Sequence, residues 1–140
     1  MTAGQPPRRV YFEDVQKGVP LETPAITLTE THAALFASLA TTRTGEPGTI
    51  PDLLPLCLSS GLGWRVPQPP LVVLAFMGFE WRFLKPTRVG DTIRSVSKTV
   101  TKRSMKEGGV VIEERTILNQ HGEVVQSGRL TLLVAKRPAP

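Results

Sequence analysis

Hydrophobic and polar positions predict a first helix soon after the start of the chain. Thr29 is a suitable N-cap for a helix from Glu30 to about Ala40, because its hydroxyl can accept a hydrogen bond from an amide of the first turn. Glu30 adds a negative charge where the helix dipole favours one. The predicted apolar face of this helix consists of Ala33, Ala34, Phe36, Ala37 and Leu39.

A second helical run has almost no polar side chains. Asp52 is placed to cap it, and Pro55 falls in the first turn, where a missing amide hydrogen costs little. Gly61 and Gly63 predict its end. Leucines cover most of the circumference, at positions Leu53, Leu54, Leu56, Leu58 and Leu62. A helix that is apolar all round has to be enclosed by other elements, so this helix is predicted to be fully buried.

Most of the remaining chain has the pattern of strands. A short alternating segment covers residues 25–28, and longer runs cover residues 71–84, 92–102, 110–119 and 123–135. Gly78 interrupts the first long run and predicts a bulge or bend. Glycine-rich steps at residues 108–109 and 120–122 predict turns between antiparallel neighbours.

An enclosed helix followed by a sheet with one apolar face predicts an α+β domain. The sheet can satisfy both requirements by curving around the helix, which gives a curved antiparallel sheet wrapped around a central apolar helix. A generic α+β sandwich, with the helix packed on a flatter sheet, remains the alternative that the pattern leaves open.

Length and composition are those of one globular domain. The chain has 140 residues, of which 40% are hydrophobic and 21% charged. We expect a flexible tail over residues 1–9, a single domain over residues 10–137 and a short tail over residues 138–140. No apolar run approaches the ~20 residues that span a bilayer, and residues 1–9 lack the apolar stretch of a signal peptide. We therefore expect a cytoplasmic protein without a membrane partner.

The formal net charge of +5 raises the question of nucleic-acid binding. The basic residues are dispersed among acidic ones, and aromatic residues make up only 6% of the chain, so stacking platforms for single strands are not indicated. A solvated basic face is the simpler interpretation, and an anionic small molecule such as a phosphate-bearing cofactor is the intermediate one. We expect no nucleic-acid partner.

Cysteine and histidine offer little chemistry. The single cysteine, Cys57, lies within the apolar helix and is predicted to be a buried, inert thiol. His32 lies on the first helix and His121 in a predicted turn, so neither a metal site nor a Cys–His pair is indicated.

The order and sequence of these elements resemble the MaoC-like hydratase domains of the hot-dog superfamily. Four segments carry the resemblance: residues 11–18 (YFEDVQKG), 56–62 (LCLSSGL), 83–93 (FLKPTRVGDTI) and 119–125 (NQHGEVV). It extends from about residue 11 to residue 137. It implies a hot-dog fold that is usually dimeric, as a homodimer or a heterodimer with another hot-dog chain. It also implies action on acyl thioesters of coenzyme A or acyl carrier protein, with no covalently bound cofactor.

The chain departs from the family where the chemistry is expected. MaoC-like hydratases carry an Asp-x-Asn-Pro-x-His segment before the central helix, and its Asp and His activate water for addition across a conjugated thioester. Residues 41–52 of this chain contain no His and no Asn, and His32 and His121 do not replace the pair.

Two carboxylates remain as catalytic candidates. Asp52 is predicted to lie at the start of the central helix, where the resemblance places the thioester against helix amides, and Glu46 lies in the loop before it. Asp52 as a helix cap and Glu46 as a solvated loop residue are the simpler interpretations. The candidate substrate-binding residues are Leu53 and Leu54, together with Arg82, Lys85 and Arg88, which are expected beside the phosphates of the carrier.

Three hypotheses of function therefore stand at the level of sequence. The chain is an enoyl-CoA hydratase- or dehydratase-like enzyme with altered chemistry, a non-catalytic partner subunit of an active hot-dog hydratase, or an acyl-CoA thioesterase that uses Asp52 or Glu46. The sequence leaves open the acyl chain, the carrier and the pathway.

Overall fold

A computed structural model describes residues 8–40 and 46–140. A 3-10 turn, Phe12–Asp14, precedes two short strands, β1 (Leu21–Glu22) and β2 (Ile26–Thr27). Two helices follow, α1 (Glu30–Ala40) and α2 (Leu54–Gly63). Four long strands complete the chain: β3 (Val73–Phe83), β4 (Thr92–Met105), β5 (Gly108–Leu118) and β6 (Val124–Val134). Within the two described ranges neither helix is long and apolar enough to cross a membrane.

The strands form one antiparallel sheet in the order β1-β4-β5-β6-β3, with β2 paired beside β4. Successive hairpins place β4, β5 and β6 side by side, whereas β3 returns to pair with the last strand and forms an edge. The predicted irregularity at Gly78 is confirmed, because the pairing of β3 with β6 shifts register between Phe76 and Gly78. Such bulges increase the local twist of a sheet and help it to curve.

The main core lies between α2 and one face of the sheet. Its buried members are Leu28, Ile50, Leu54, Ile93, Ile117 and Val125. Trp81 of β3, Phe36 of α1 and Leu58 of α2 pack against this cluster. A smaller cluster of Phe12, Val111 and Val134 closes the other end of the sheet.

The predicted first helix has the expected bounds but a narrower buried face. Ala37 is buried, and Ala33 and Phe36 pack on the core, as predicted. Ala34 and Leu39 are exposed, Leu39 to 85%, so their assignment to the apolar face was wrong. Only one stripe of α1 contacts the core, and these two residues point away from it.

The prediction of full enclosure for α2 was also wrong for the single chain. Leu54, Pro55, Ser59 and Leu62 are buried, but Leu53 is 49% exposed and Cys57 is exposed. The sheet covers one side of the helix and leaves the opposite side open. Cys57 is therefore not the buried thiol that the apolar sequence around it predicted.

Candidate functional site

The start of α2 is fixed by a hydrogen-bonded path from the sheet. The indole Nε1 of Trp81 donates to Gln126 Oε1 at 2.9 Å, and Gln126 Nε2 donates to the backbone carbonyl of Asp52 at 2.8 Å. Gln126 is only 2% exposed. A buried amide with partners on both sides holds its position because losing either bond leaves a polar group unsatisfied. The beginning of the helix is thus tied to β3 and β6.

Asp52 lies just before this helix, but its side chain does not cap it. The helix begins at Leu54, the N-cap position is taken by Leu53, and no side-chain cap bond is formed within the described ranges. The amide of Leu54 donates to the carbonyl of Pro51 at 3.0 Å, and Pro55 has no amide hydrogen. Two of the amides that a cap would serve therefore need none. The capping role predicted for Asp52 was wrong, whereas its catalytic role stays a prediction that its exposed carboxylate permits.

Glu46 is exposed at the first described position after residues 41–45. Its backbone carbonyl accepts hydrogen bonds from the amide and the hydroxyl of Thr49, at 3.1 and 2.6 Å. These bonds fix the backbone of the loop and leave the Glu46 carboxylate to solvent. Residues 41–45, the first five of the twelve residues without the expected Asp/His pair, lie outside the described residues. A catalytic role for Glu46 stays a prediction.

The two leucines predicted to bind substrate differ in their environments. Leu54 is buried in the core and packs beside Ile117 and Val125. Leu53 is about half exposed next to Asp52. Of the two, Leu53 is available to a ligand without rearrangement of the core, and contact between either side chain and substrate stays a prediction.

Of the three predicted basic residues, at least two lie near the start of α2. The Arg88 backbone bridges to Thr49, and the Lys85 amide donates to the carbonyl of Val125. Arg82 lies near the end of β3, and all three side chains are exposed. Lys85 forms an ion pair with Glu123, and this hydrogen bond lowers the pKa of the Glu123 carboxyl. Arg82 and Arg88 form no ion pair with the described residues, so their charges are available to an anion.

A second polar group lies inside the domain, against the middle of α2. Glu113 and Arg115 on β5 form an ion pair with side chains only 18% and 13% exposed. Arg115 Nε and Nη2 lie 2.9 and 2.8 Å from Glu113 Oε1. Arg115 Nη1 donates to the hydroxyls of Ser59 and Ser60, both at 3.2 Å. The pair thus joins the inner face of the sheet to the helix.

This ion pair lines a cavity of about 560 Å³. Asp14 and Lys98 add one charge of each sign to the lining. Uncharged polar lining residues include Thr23, Ser95, Ser97 and Thr99, and the apolar lining includes Val15, Leu71, Val111 and Leu132. Sequence reasoning missed this group. The signal was present in β5, where Val111 and Ile117 are buried, and alternation along a strand places Glu113 and Arg115 on that same inward face.

Of the two histidines, the His32 side chain caps a helix and the His121 side chain is exposed in a turn. The Thr29 hydroxyl accepts from the His32 amide at 3.2 Å, and His32 Nδ1 accepts from the Thr29 amide at 3.1 Å. This reciprocal arrangement is a capping box with His in the position usually held by Glu or Gln. His121 is exposed in the β5–β6 turn, where its amide donates to Asn119 Oδ1. Across the residues that were searched, no group of three or more His, Cys, Asp or Glu residues could hold a metal ion.

Comparison with known proteins gives one related sequence. No protein-family model matches the chain. A mesaconyl-CoA hydratase from Cereibacter sphaeroides is 39% identical over 85 residues, which cover 56% of this chain and 25% of that protein. The chain therefore matches about a quarter of the length of this relative.

Solved structures match much more of the chain. A monoamine oxidase regulatory protein from Archaeoglobus fulgius superposes with a TM-score of 0.86 and 28% identity, over 94% of this chain and 98% of that one. A MaoC-like dehydratase from Rhodospirillum rubrum superposes with a TM-score of 0.76 and 19% identity, over 93% of this chain and 99% of that one. A Mycobacterium tuberculosis protein with a double hot-dog fold superposes with a TM-score of 0.72 and 23% identity, over 94% of this chain and 46% of that one. The chain has the MaoC-like hot-dog fold.

The predicted resemblance and the predicted fold class are thereby confirmed. Within this hot-dog fold α2 is the central helix, and its start is the place where several predicted site residues come together. Asp52, Leu53, Lys85 and Arg88 lie at this end, and Glu46 lies on the loop that leads to it. Glu113 and Arg115 lie further along the helix, beside Ser59.

Proposed function

We propose that this hot-dog domain binds acyl thioesters of coenzyme A or acyl carrier protein and is of the enoyl-CoA hydratase or dehydratase type. The observation that carries the proposal is the 39% identity to a mesaconyl-CoA hydratase, on a chain whose fold matches a MaoC-like dehydratase over nearly its whole length. The site proposed for the thioester is the start of α2.

The chemistry of this end of the molecule supports the proposal. Leu53 offers an exposed apolar side chain, and Arg88 offers an exposed guanidinium group without an ion-pair partner in the described ranges. Guanidinium groups bind phosphate oxygens with paired hydrogen bonds, and the carrier supplies phosphates. The positive end of the helix dipole favours negative charge that develops on a thioester oxygen.

We expect the isolated chain to bind substrate but to catalyse hydration poorly. A positioned acid or base typically accelerates a reaction by ~100- to 10,000-fold, and residues 41–52 contain no His and only one Asp, Asp52. We therefore expect weak hydration by the isolated chain. Titration with acyl-CoA species at low salt should show binding, and crotonyl-CoA should be hydrated slowly. No binding would remove the proposal, and efficient hydration would show that the acid–base pair lies elsewhere in the chain.

A role as the non-catalytic partner of an active hot-dog hydratase is the second candidate. It is favoured by β3, an edge strand with many exposed apolar side chains, which suits pairing with another hot-dog chain. A partner that carries an intact Asp/His pair should then gain activity or change its acyl preference when this chain is added.

A thioesterase that acts through Asp52 or Glu46 is the third candidate. Its support is the exposed Asp52 carboxylate beside the start of α2, where it could orient water. Release of free coenzyme A from acyl-CoA by the purified protein, lost in Asp52→Asn or Glu46→Gln, would favour it over the hydratase. An unchanged rate in both variants would exclude these two carboxylates.

A further inference from the structure

The Glu113–Arg115 pair leaves one strong acceptor facing the cavity. Both nitrogen contacts from Arg115 fall on Glu113 Oε1, and the remaining nitrogen, Nη1, is used by Ser59 and Ser60. Among the described residues, Glu113 Oε2 has no hydrogen-bond partner. A charge largely removed from water needs hydrogen bonds on its remaining lone pairs. Among the described residues no buried side-chain oxygen or nitrogen lacks a partner, so Oε2 is open to the cavity, and a ligand that excludes water from it has to supply a hydrogen-bond donor.

Hydroxyl groups from the adjacent strand β4 lie beside the ion pair, and together they form a polar wall of the cavity. In the β4–β5 pairing Ser97 lies opposite Arg115 and Thr99 lies opposite Glu113, so all four side chains share one face of the sheet. A serine or threonine hydroxyl both donates and accepts. The cavity, at about 560 Å³, is of ligand size and combines apolar walls with a few convergent polar groups.

The charges of the pair decide which ligand fits. The cavity lining contains two acidic residues, Asp14 and Glu113, and two basic residues, Lys98 and Arg115, so their charges balance. A carboxylate would therefore gain little net attraction and would meet the open Glu113 oxygen. An alkyl chain would displace water from the pair without replacing its hydrogen bonds. A hydroxyl or amide donates to Oε2 and accepts from Ser97 or Thr99. A neutral group that both donates and accepts therefore matches this wall best.

We propose that this cavity receives the end of an acyl group and that Glu113 and Arg115 select acyl groups that carry a neutral hydroxyl or amide there. This inference rests on the acyl-thioester function proposed above and adds a substrate class to it. Ser59 lies five residues beyond Leu54 on α2, which at a rise of ~1.5 Å per residue is about 7.5 Å from the helix start. A short acyl group that extends along the helix spans this distance.

Three acyl-CoA probes of similar length separate the possibilities. Pentanoyl-, 4-hydroxybutyryl- and succinyl-CoA end in a methyl, a hydroxyl and a carboxylate, and calorimetric titration of the full chain gives a Kd for each. We expect 4-hydroxybutyryl-CoA to bind about tenfold or more tightly than the other two, because only its hydroxyl satisfies the open oxygen. Equal affinities, or tightest binding of succinyl-CoA, would overturn the inference.

The double variant Glu113→Leu with Arg115→Met tests the residues themselves. Replacing a buried ion pair by apolar side chains of similar size is often neutral for stability, so the fold should survive, and thermal unfolding checks this. The preference should move to pentanoyl-CoA. Ser97→Ala, a milder change, should lower the preference for 4-hydroxybutyryl-CoA without touching the ion pair.

The adjacent outward pair supplies a matched control. Glu114 and Arg129 lie 3.6 Å apart with side chains 38% and 58% exposed, so Glu114→Leu with Arg129→Met makes the same chemical change outside the cavity. The control should keep the preference of the unmodified protein. If all proteins bind all three probes alike, the cavity assignment fails and acyl-thioester binding stands. If none binds any probe, both proposals fail.

Discussion

At the scale of single residues, the Asp52 side chain forms no hydrogen bond to the described residues. Its carboxylate forms no cap bond, so Asp52→Asn and Asp52→Ala should both change the free energy of unfolding by less than about 0.5 kcal/mol. Any catalysis that uses the carboxylate should fall by orders of magnitude in both variants. Urea unfolding and an acyl-CoA turnover assay give the two measurements.

A residue that does cap a helix gives the contrast. Thr29→Ala removes the acceptor for the His32 amide and should cost about 1 kcal/mol. A comparable loss in Asp52→Ala would mean that its side chain supports α2 after all. Full turnover in both Asp52 variants would leave Asp52 without a catalytic role.

The buried ion pair makes a second prediction at this scale. Arg115→Met alone leaves the Glu113 carboxylate uncompensated and removes the donor to Ser59, so it should lower the free energy of unfolding by about 3 kcal/mol. Adding Glu113→Leu should restore most of the loss, although it is a second mutation. A double-mutant cycle by chemical unfolding measures the coupling, and additive losses would contradict the assigned pairing.

The role of a residue was predicted well where it depends on its neighbours in sequence, and poorly where it depends on residues that are distant in sequence. The Thr29 cap depends on one hydroxyl and one turn of helix, and it was predicted correctly. The capping role of Asp52 failed because the Leu54 amide bonds to Pro51 and Pro55 needs no partner. The Glu113–Arg115 pair was missed because a sequence does not show which face of the sheet a strand side chain lies on until the buried residues of that strand are known.

At the scale of elements, the strand and helix pattern was largely predictable. The first helix and the four long strands lie within a few residues of their predicted bounds, because turn residues and apolar alternation act locally. The exposure of α2 was not predictable in the same way. Leucines lie all around the helix, so the pattern predicts that every side is buried. The pattern does not say that the described sheet packs against one side only.

The attachment of α2 to the sheet gives an element-level prediction. Gln126→Leu keeps a similar volume but leaves the Trp81 Nε1–H and the Asp52 carbonyl without partners. Each unsatisfied buried group costs about 1–3 kcal/mol, so the variant should lose about 2 kcal/mol or more. Gln120→Leu removes the side-chain hydrogen bonds to the Thr92 amide and to Asp91 at an exposed turn, and it should cost less because water replaces them. Equal losses would contradict the role assigned to Gln126.

At the scale of the whole molecule, the two ends of the described chain are joined by acidic residues. The Arg137 amide donates to Glu13 Oε2 at 2.9 Å, and its guanidinium pairs with Asp14. The Arg137 amide is the main cause that lowers the pKa of Glu13, and the Tyr11 amide is the main cause that lowers the pKa of Asp14. Both carboxyls are thus easier to ionise in the folded chain.

A lowered pKa in the folded state fixes the sign of the pH dependence. The ionised Glu13 and Asp14 carboxylates contribute their full stabilisation of the folded chain above their ordinary pKa values of 4.5 and 3.8. This stabilisation is lost as the pH falls from those values through the lower pKa values of the folded chain. Unfolding followed from pH 6 to pH 2 should therefore show a shallower loss of stability in Glu13→Gln with Asp14→Asn than in the unmodified protein. Identical slopes would contradict the assignment, and added salt should weaken the effect because these groups are exposed.

The edge strand β3 makes the prediction that concerns assembly. Its exposed apolar side chains are Val73, Leu74, Phe76, Met77, Phe79 and Phe83, and within the described ranges its outer edge has no strand beside it. A long bare edge of this kind is prone to pair with another strand, and a contiguous apolar patch marks an interface. Pairing of β3 with β3 of a second copy extends the sheet and places the same surface on both sides of a two-fold axis.

We therefore expect a dimer at micromolar concentration in sedimentation equilibrium. Phe76 is 55% exposed on this edge, and Phe76→Lys should shift the protein to monomer because it places a charge on each copy of the apolar interface. Leu39→Lys is the matched control, since Leu39 is even more exposed but lies on α1, away from β3. A monomeric unmodified protein, or equal dissociation in both variants, would rule out this edge as the interface. Because the open side of α2 also lacks cover in the single chain, the dimer should protect Cys57 from thiol reagents only if it covers the helix as well as the edge.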